Sequence, residues 1–140
     1  MSHPTNPARL ALNVVNQLLA KKDSRVDLVL AGKTVVANVR KASPDKGFID
    51  WAKANGYFVY VGDNVRFTEY KRSDWFNPFK IGKDKSEEKR NEVCESYKNQ
   101  LINTPELLAR LPELKGKVLG CWCSPLRCHG HHLAGLANAI

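Results

Sequence analysis

Two short apolar runs, Tyr57-Phe-Val-Tyr-Val61 and Lys117-Val-Leu-Gly-Cys-Trp122, stand on either side of a segment with helical periodicity. Both are rich in the β-branched and aromatic residues that favour strands. Between them, Ser86–Asn103 places Val93, Tyr97 and Leu101 on one four-residue stripe, and Glu87 and Glu88 suit the positive end of a helix. Thr104-Pro105 opens a shorter helix that ends near Pro112. A last helix is expected from about His129, with Leu133, Leu136, Ala137 and Ile140 on one face. Strand, helical crossover, strand, helix is the order of an α/β fold, a small sheet whose parallel strands are joined by a helix. In such sheets ligands gather outside the carboxyl ends of the strands. Gly62-Asp63-Asn64 and Cys121-Trp122-Cys123 both follow strand ends, so both are expected on one edge.

Upstream, Arg9–Lys22 reads as a helix, with Leu10, Val14, Leu18 and Leu19 at helical spacing and Pro7 near its start. Arg25–Lys41 then alternates: Val26, Leu28 and Leu30, the turn Ala31-Gly32-Lys33, then Val35, Val36 and Val39, a pattern that predicts a β-hairpin. Ser43-Pro44 starts a helix that buries Phe48, Ile49, Trp51 and Ala52 and stops at Asn55-Gly56. The division expected is a basic helix-and-hairpin extension over residues 1–56 and an α/β core domain over residues 57–140. Residues 62–85 form a long connection without periodicity, and loops of that length are commonly functional.

With 140 residues, 43% of them apolar and 26% charged, the chain can bury a real core, and wholesale disorder is excluded. No apolar run approaches the ~18 residues of a membrane span, and the N-terminus lacks the layout of a secretion signal. A cytoplasmic protein is therefore expected, its four cysteines thiols or metal ligands rather than disulfides. The net charge is +8, and residues 1–56 carry nine Lys/Arg against four Asp/Glu. That balance suits a nucleotide, a nucleic acid or an acidic partner protein, or simply a basic surface.

Chemistry concentrates in Cys121-Trp-Cys-Ser-Pro-Leu-Arg-Cys-His-Gly130, where Cys121, Cys123, Cys128, His129, His131 and His132 fall within twelve residues. Three readings stay open. Thiolates and imidazole suit zinc, with Cys121, Cys123, Cys128 and His129 as candidate ligands, although the spacing is not that of a finger or ribbon. A reactive thiol is the second reading. Cys128 sits where the last helix begins, where free N–H groups lower a thiol's pKa, and His129 stands next to it. Cys121 has Arg127 at the sixth position, the count of phosphatase loops, but Pro125 and the lack of glycine between them weaken the match. The third reading is packing, with the cysteines as small apolar fillers. Cys94, beside the buried stripe of its helix, is read as packing.

A second constellation interleaves Arg66, Lys71, Arg72, Lys80, Lys83 and Lys85 with Phe67, Tyr70, Trp75, Phe76 and Phe79, a mixture that attracts phosphates and can stack on bases. Trp75 and Phe79 are expected to fold inward instead and anchor the loop on the core. Asn64, Arg66 and Asn77 complete the candidate ligand-binding set with Asp63, Cys123 and Arg127.

Val-Tyr-Val-Gly62, Trp75-Phe-Asn-Pro-Phe79, the Tyr97 helix and Leu114–Gly130 together resemble a small uncharacterised domain of unknown function found in bacteriophages and bacteria, over about residues 57–138. The resemblance points to Asn77, Pro78, Phe79, Gly120, Cys121, Cys123, Pro125, Cys128, His129 and Gly130. It departs at Asp63, where arginine is expected, and at Phe76, where glycine is expected. It implies a fold and a site but no activity. The function expected is binding of a nucleotide or nucleic acid at the carboxyl edge of the sheet, with thiol- and histidine-dependent chemistry at Cys128, His129 and Cys121. The alternative is a non-enzymatic module that contacts nucleic acid or a host protein through a structural Cys/His loop.

Overall fold

A computed structural model of the protein describes residues 23–140 except Asn64, Phe67, Ile81 and Pro125. The helix expected over Arg9–Lys22 lies outside the described residues. The elements run α1 (Arg25–Leu30), β1 (Val35–Asn38), α2 (Lys46–Ala54), β2 (Phe58–Tyr60), α3 (Glu87–Ile102), α4 (Pro105–Leu108), a 3-10 turn (Leu111–Leu114), β3 (Val118–Cys121) and α5 (His129–Asn138).

The first half of the expected hairpin is a helix. A strand over 25–30 would put Val26, Leu28 and Leu30 on one buried face. The helix instead buries Val26 and Val29, three residues apart, and leaves Leu28 and Leu30 exposed. Arg25 holds this geometry. Its guanidinium meets Asp23 at 2.6 Å and Asp45 at 2.7 Å, and lies 4.4 Å over the Phe48 ring. A turn with Gly32 at φ +88° then leads into β1.

The three strands among the described residues are parallel, in the order β1-β3-β2. The last strand in sequence is therefore the middle one in space, with Val35 opposite Val118 and Phe58 also opposite Val118. Alternation along the strands sorts the core into two layers. Val36, Leu119, Cys121 and Val61 face the side covered by α3, α5 and the 3-10 turn. Ala37, Val118 and Tyr60 face the side covered by α1 and α2. The parallel pairing of β2 with β3 follows from the helical crossover between them. The position of β1 does not: the boundary expected between residues 56 and 57 cuts across a sheet to which residues 35–38 contribute a strand. The upstream segment is tied in further by Thr34, whose Oγ1 donates to the Leu114 carbonyl at 2.7 Å and whose backbone N–H donates to the Asn138 side chain at 2.7 Å.

Helix α3 begins as its sequence requires, with Ser86 Oγ accepting from the Lys89 N–H at 3.1 Å. Its buried stripe is Cys94, Tyr97 and Leu101. Helix α5 buries Leu133 and Ala137, while Ile140, expected on the same face, lies beyond the helix end and is exposed. Among the described residues no helix is long and apolar enough to cross a membrane.

Candidate functional site

Parallel strands bring their carboxyl ends to one edge, and a cavity of about 670 Å3 opens there. Arg40 reaches it just beyond β1, Gly62 and Asp63 beyond β2, and Cys121, Trp122 and Cys123 from the end of β3 and beyond. The long connection adds Arg66, Arg72, Asn77, Phe79 and Lys80. The first half of α3 supplies Arg90, Val93 and Cys94, and the start of α5 supplies Cys128 and His129, with Arg127 just before. The shared edge expected for Gly62-Asp63 and Cys121–Cys123 is thus formed. Asn64 lies outside the described residues.

Among the described residues, six cationic side chains line this space against one carboxylate. Asp63 is bound by Arg72 at 2.8 Å and by Lys80, so the carboxylate standing where the resemblance expects arginine is itself covered by two cations. Arg127 turns outward to α3, donating to Asn91 at 2.8 Å and Glu95 at 3.1 Å. That orientation separates Arg127 from the phosphatase arrangement in which the arginine closes over the cysteine. Asn77 is buried and its Oδ1 accepts from the Phe79 N–H at 2.9 Å, which fixes the turn. Trp75 folds inward as expected, and the buried Tyr97 hydroxyl donates to its carbonyl at 3.0 Å. Phe79 does not: it is 40% exposed on the cavity wall, because the Asn77 turn points it away from the core.

The thiols form a graded cluster. Cys121 is 1% exposed and its Sγ lies 3.3 Å from Cys128 Sγ. A hydrogen bond from Cys128 lowers the Cys121 pKa against the cost of burial, with backbone N–H groups of Ser124 and Cys123 helping. Cys123 is half-buried and is pushed down to about 6, first by the neighbouring Cys128, then by Arg90 and Arg40, against the cost of burial. Cys128 moves the other way. Its thiol donates to Cys121 at 3.3 Å and is itself buried, so it holds its proton more tightly than an ordinary thiol. The expectation that Cys128 is the acidic thiol is therefore reversed. The helix-start effect is outweighed by the Cys121 acceptor and burial, and the thiol lowered beside the cavity is Cys123. Cys94 is raised, chiefly by burial.

The histidines are largely committed to structure. His129 is buried, its Nε2 lies 2.6 Å from the Val61 carbonyl, and its ring packs 4.7 Å from Tyr97. A carbonyl can only accept, so Nε2 carries the hydrogen. Burial lowers the His129 pKa to about 4, leaving a neutral strut between α5 and β2. Through Nδ1, His131 accepts the Cys128 N–H at 3.1 Å, and its pKa is lowered by burial. Among the described residues no group of three or more His, Cys, Asp and Glu side chains is arranged to hold a metal ion. Of the four candidate zinc ligands, Cys121 and Cys128 are adjacent, but His129 directs its Nε2 at a carbonyl rather than at the sulfurs.

Residues without a signal in the sequence complete the site. Arg40 and Arg90 flank Cys123 electrostatically, and Trp122 Nε1 donates to the Tyr60 hydroxyl at 2.6 Å. Helical spacing from Cys94 was the one available clue for Arg90, one turn earlier on the same face.

A family model described as a domain of unknown function, DUF4326, matches residues 50–139. The chain belongs to the DUF4326 family. That match takes in β2, β3, α3, α5 and the thiol loop, and begins inside α2. An uncharacterized protein of Acanthamoeba polyphaga mimivirus is 35% identical over 92 residues, spanning 59% of this chain and 68% of its own length. No solved structure matches the chain.

Proposed function

We propose that this DUF4326 protein binds a nucleotide-sized phosphorylated ligand in the cavity at the carboxyl edge of its sheet. The observation that carries this reading is the imbalance, among the described residues, of six cationic side chains over one carboxylate in a concave space of about 670 Å3. Pockets for small organic ligands fall in the range of about 300–1,000 Å3. Arginine favours phosphate because its planar fork donates two parallel hydrogen bonds. The start of α5 lines the same space and adds a partial positive charge. Trp122 and Phe79 offer apolar surface for a base. An enclosing pocket suits a small ligand better than a nucleic-acid strand, which a groove would follow.

A second reading, a non-enzymatic module contacting nucleic acid or a protein through a structural Cys/His loop, draws support from His129, whose ring nitrogen is spent on the Val61 carbonyl. Calorimetric titration with nucleoside mono-, di- and triphosphates, inorganic phosphate and a short single-stranded oligonucleotide separates the two. The expected result is nucleotide binding that weakens with salt and falls about tenfold or more in Arg90→Ala, the loss of one charge-assisted contact. Oligonucleotide binding without mononucleotide binding supports the second reading. Binding of none of these overturns the proposal.

A further inference from the structure

The cations around the cavity are not equivalent. Arg127 is committed to Asn91 and Glu95, while Arg72 and Lys80 are committed to Asp63. Among the described residues Arg40 and Arg90 form no ion pair, so they can meet an anion without first releasing a carboxylate. Asp63 is the one carboxylate among the described lining residues, and its side chain is 19% exposed. The end of β2 fixes its place. The Val61 N–H donates to the Gly120 carbonyl at 3.0 Å, and Gly62 lies so close to Tyr60 that a Cβ would come within 2.5 Å of the hydroxyl. The long connection then orients the carboxylate, with Arg72 on Oδ1 at 2.8 Å and Lys80 on Oδ2. We infer that Asp63 selects the ligand of this cavity, accepting hydrogen bonds from two adjacent donors on a phosphorylated molecule, the vicinal hydroxyls of a ribose.

A carboxylate offers about four lone-pair sites over its two oxygens. One cation on each oxygen leaves a site open on each, side by side. A phosphate cannot use them, since like charges repel and it would have to displace Asp63 to reach Arg72 or Lys80. An uncharged pair of donors can, with both ion pairs intact. Nucleotides carry such a pair in two places, the vicinal hydroxyls of the ribose and the amide and amino edge of guanine. The sugar fits this position better. The flanking side chains stand in solvent, Arg72 at 48% and Lys80 at 71% exposed, whereas the apolar surface that suits a base is on Trp122 and Phe79. Hydrogen bonds to an ionised acceptor are roughly twice as strong as neutral ones, and a carboxylate already held from two sides loses little freedom when a ligand arrives. This role rests on the phosphorylated-ligand reading of the cavity and adds to it which ligands are admitted.

The test is calorimetric titration of the full-length chain with adenosine and guanosine monophosphates, their deoxyribose counterparts, ribose phosphate and inorganic phosphate. The expected result is that each ribose form binds about tenfold or more tighter than its deoxyribose counterpart, the loss of one hydrogen bond to a charged acceptor. That comparison is made on the wild-type chain and needs no variant to fold. In Asp63→Ala the preference should vanish, while inorganic phosphate should bind more tightly, because a carboxylate has gone and Arg72 and Lys80 are released. Four results overturn the inference. Equal affinity for ribose and deoxyribose forms in the wild type removes the role of Asp63 and leaves the phosphorylated-ligand reading standing. A preference for both guanine forms over both adenine forms, blind to the sugar, moves the donor pair to the base. Loss of phosphate binding in Asp63→Ala makes Asp63 a support for Arg72 and Lys80 alone. Binding of none of the six probes defeats the reading of the cavity, and the selection by Asp63 with it.

Discussion

Asn38 Nδ2 donates to the Ser124 carbonyl at 2.6 Å and to the Trp122 carbonyl at 3.4 Å, so the end of the first strand holds the thiol loop that follows the last strand. Its own backbone N–H is taken by Asp45 at 2.8 Å, which also binds Arg25. Replacing Asn38 by alanine leaves the Ser124 carbonyl short of a donor in a buried setting. The expected loss is about 1–2 kcal/mol of stability in urea unfolding, together with faster alkylation of Cys123.

Gly120 is required by contact rather than by backbone angle. A Cβ there would come within 2.5 Å of the Phe58 ring and 2.7 Å of Val39 Cγ1. Both neighbours are packed in the layer beneath α1 and α2, so neither can move aside freely. Gly120→Ala should therefore cost about 1–3 kcal/mol by overpacking, read as a lower denaturation midpoint with an unchanged unfolding slope.

Acid should unfold the protein earlier because of His129. Its pKa is held near 4 in the folded chain by burial, below the value of an exposed histidine. Between those two values the unfolded chain binds a proton that the folded chain does not, so stability falls as pH drops through this window. The full effect is about 3 kcal/mol, reached near pH 4. His131 and His132 are lowered as well and act in the same direction. The denaturation midpoint of His129→Gln, followed from pH 7 to pH 4, should decline less steeply than that of the wild type. Parallel curves would remove His129 from this role.

Residues 57–140 expressed alone should not fold cooperatively. Without Val35–Asn38 the central strand loses one of its two partners, and Thr34 and Asn138 lose each other. Circular dichroism of the truncated chain should show reduced helix and a broad thermal transition. A sharp transition would establish the division at residue 57 as a real boundary.

The part of the fold legible in the sequence was the part set by local pattern. Tyr57–Val61, Ser86–Asn103 and Lys117–Trp122 each carry one unambiguous period, and the two strands emerge parallel as their helical crossover requires. Val26, Leu28 and Leu30 also alternate, yet they lie in a helix, because Arg25 finds Asp23 and Asp45 and because Val29 is buried in place of Leu28. Asp45 is a tertiary partner, twenty residues away, and leaves no trace in spacing. The cysteine loop and Asp63 were visible as residues, and the strand ends placed them on one edge. Which thiol is acidic was not visible, since it depends on Cys128 being buried against Cys121 and on Arg40 arriving from a strand whose place in the sheet only long-range pairing decides.

The strand order also sets a timetable for synthesis. Strands β1 and β2 both pair with β3 and not with each other, and β3 is the last of the three to be synthesised. Until residues 118–121 have cleared the exit tunnel, two half-finished strand edges wait with no partner, exposed to whatever else can add a strand. The cavity at the strand ends cannot form before then either, since Cys121, Trp122 and Cys123 line it. The interval before β3 emerges is when this chain is most open to chaperones and to mispairing.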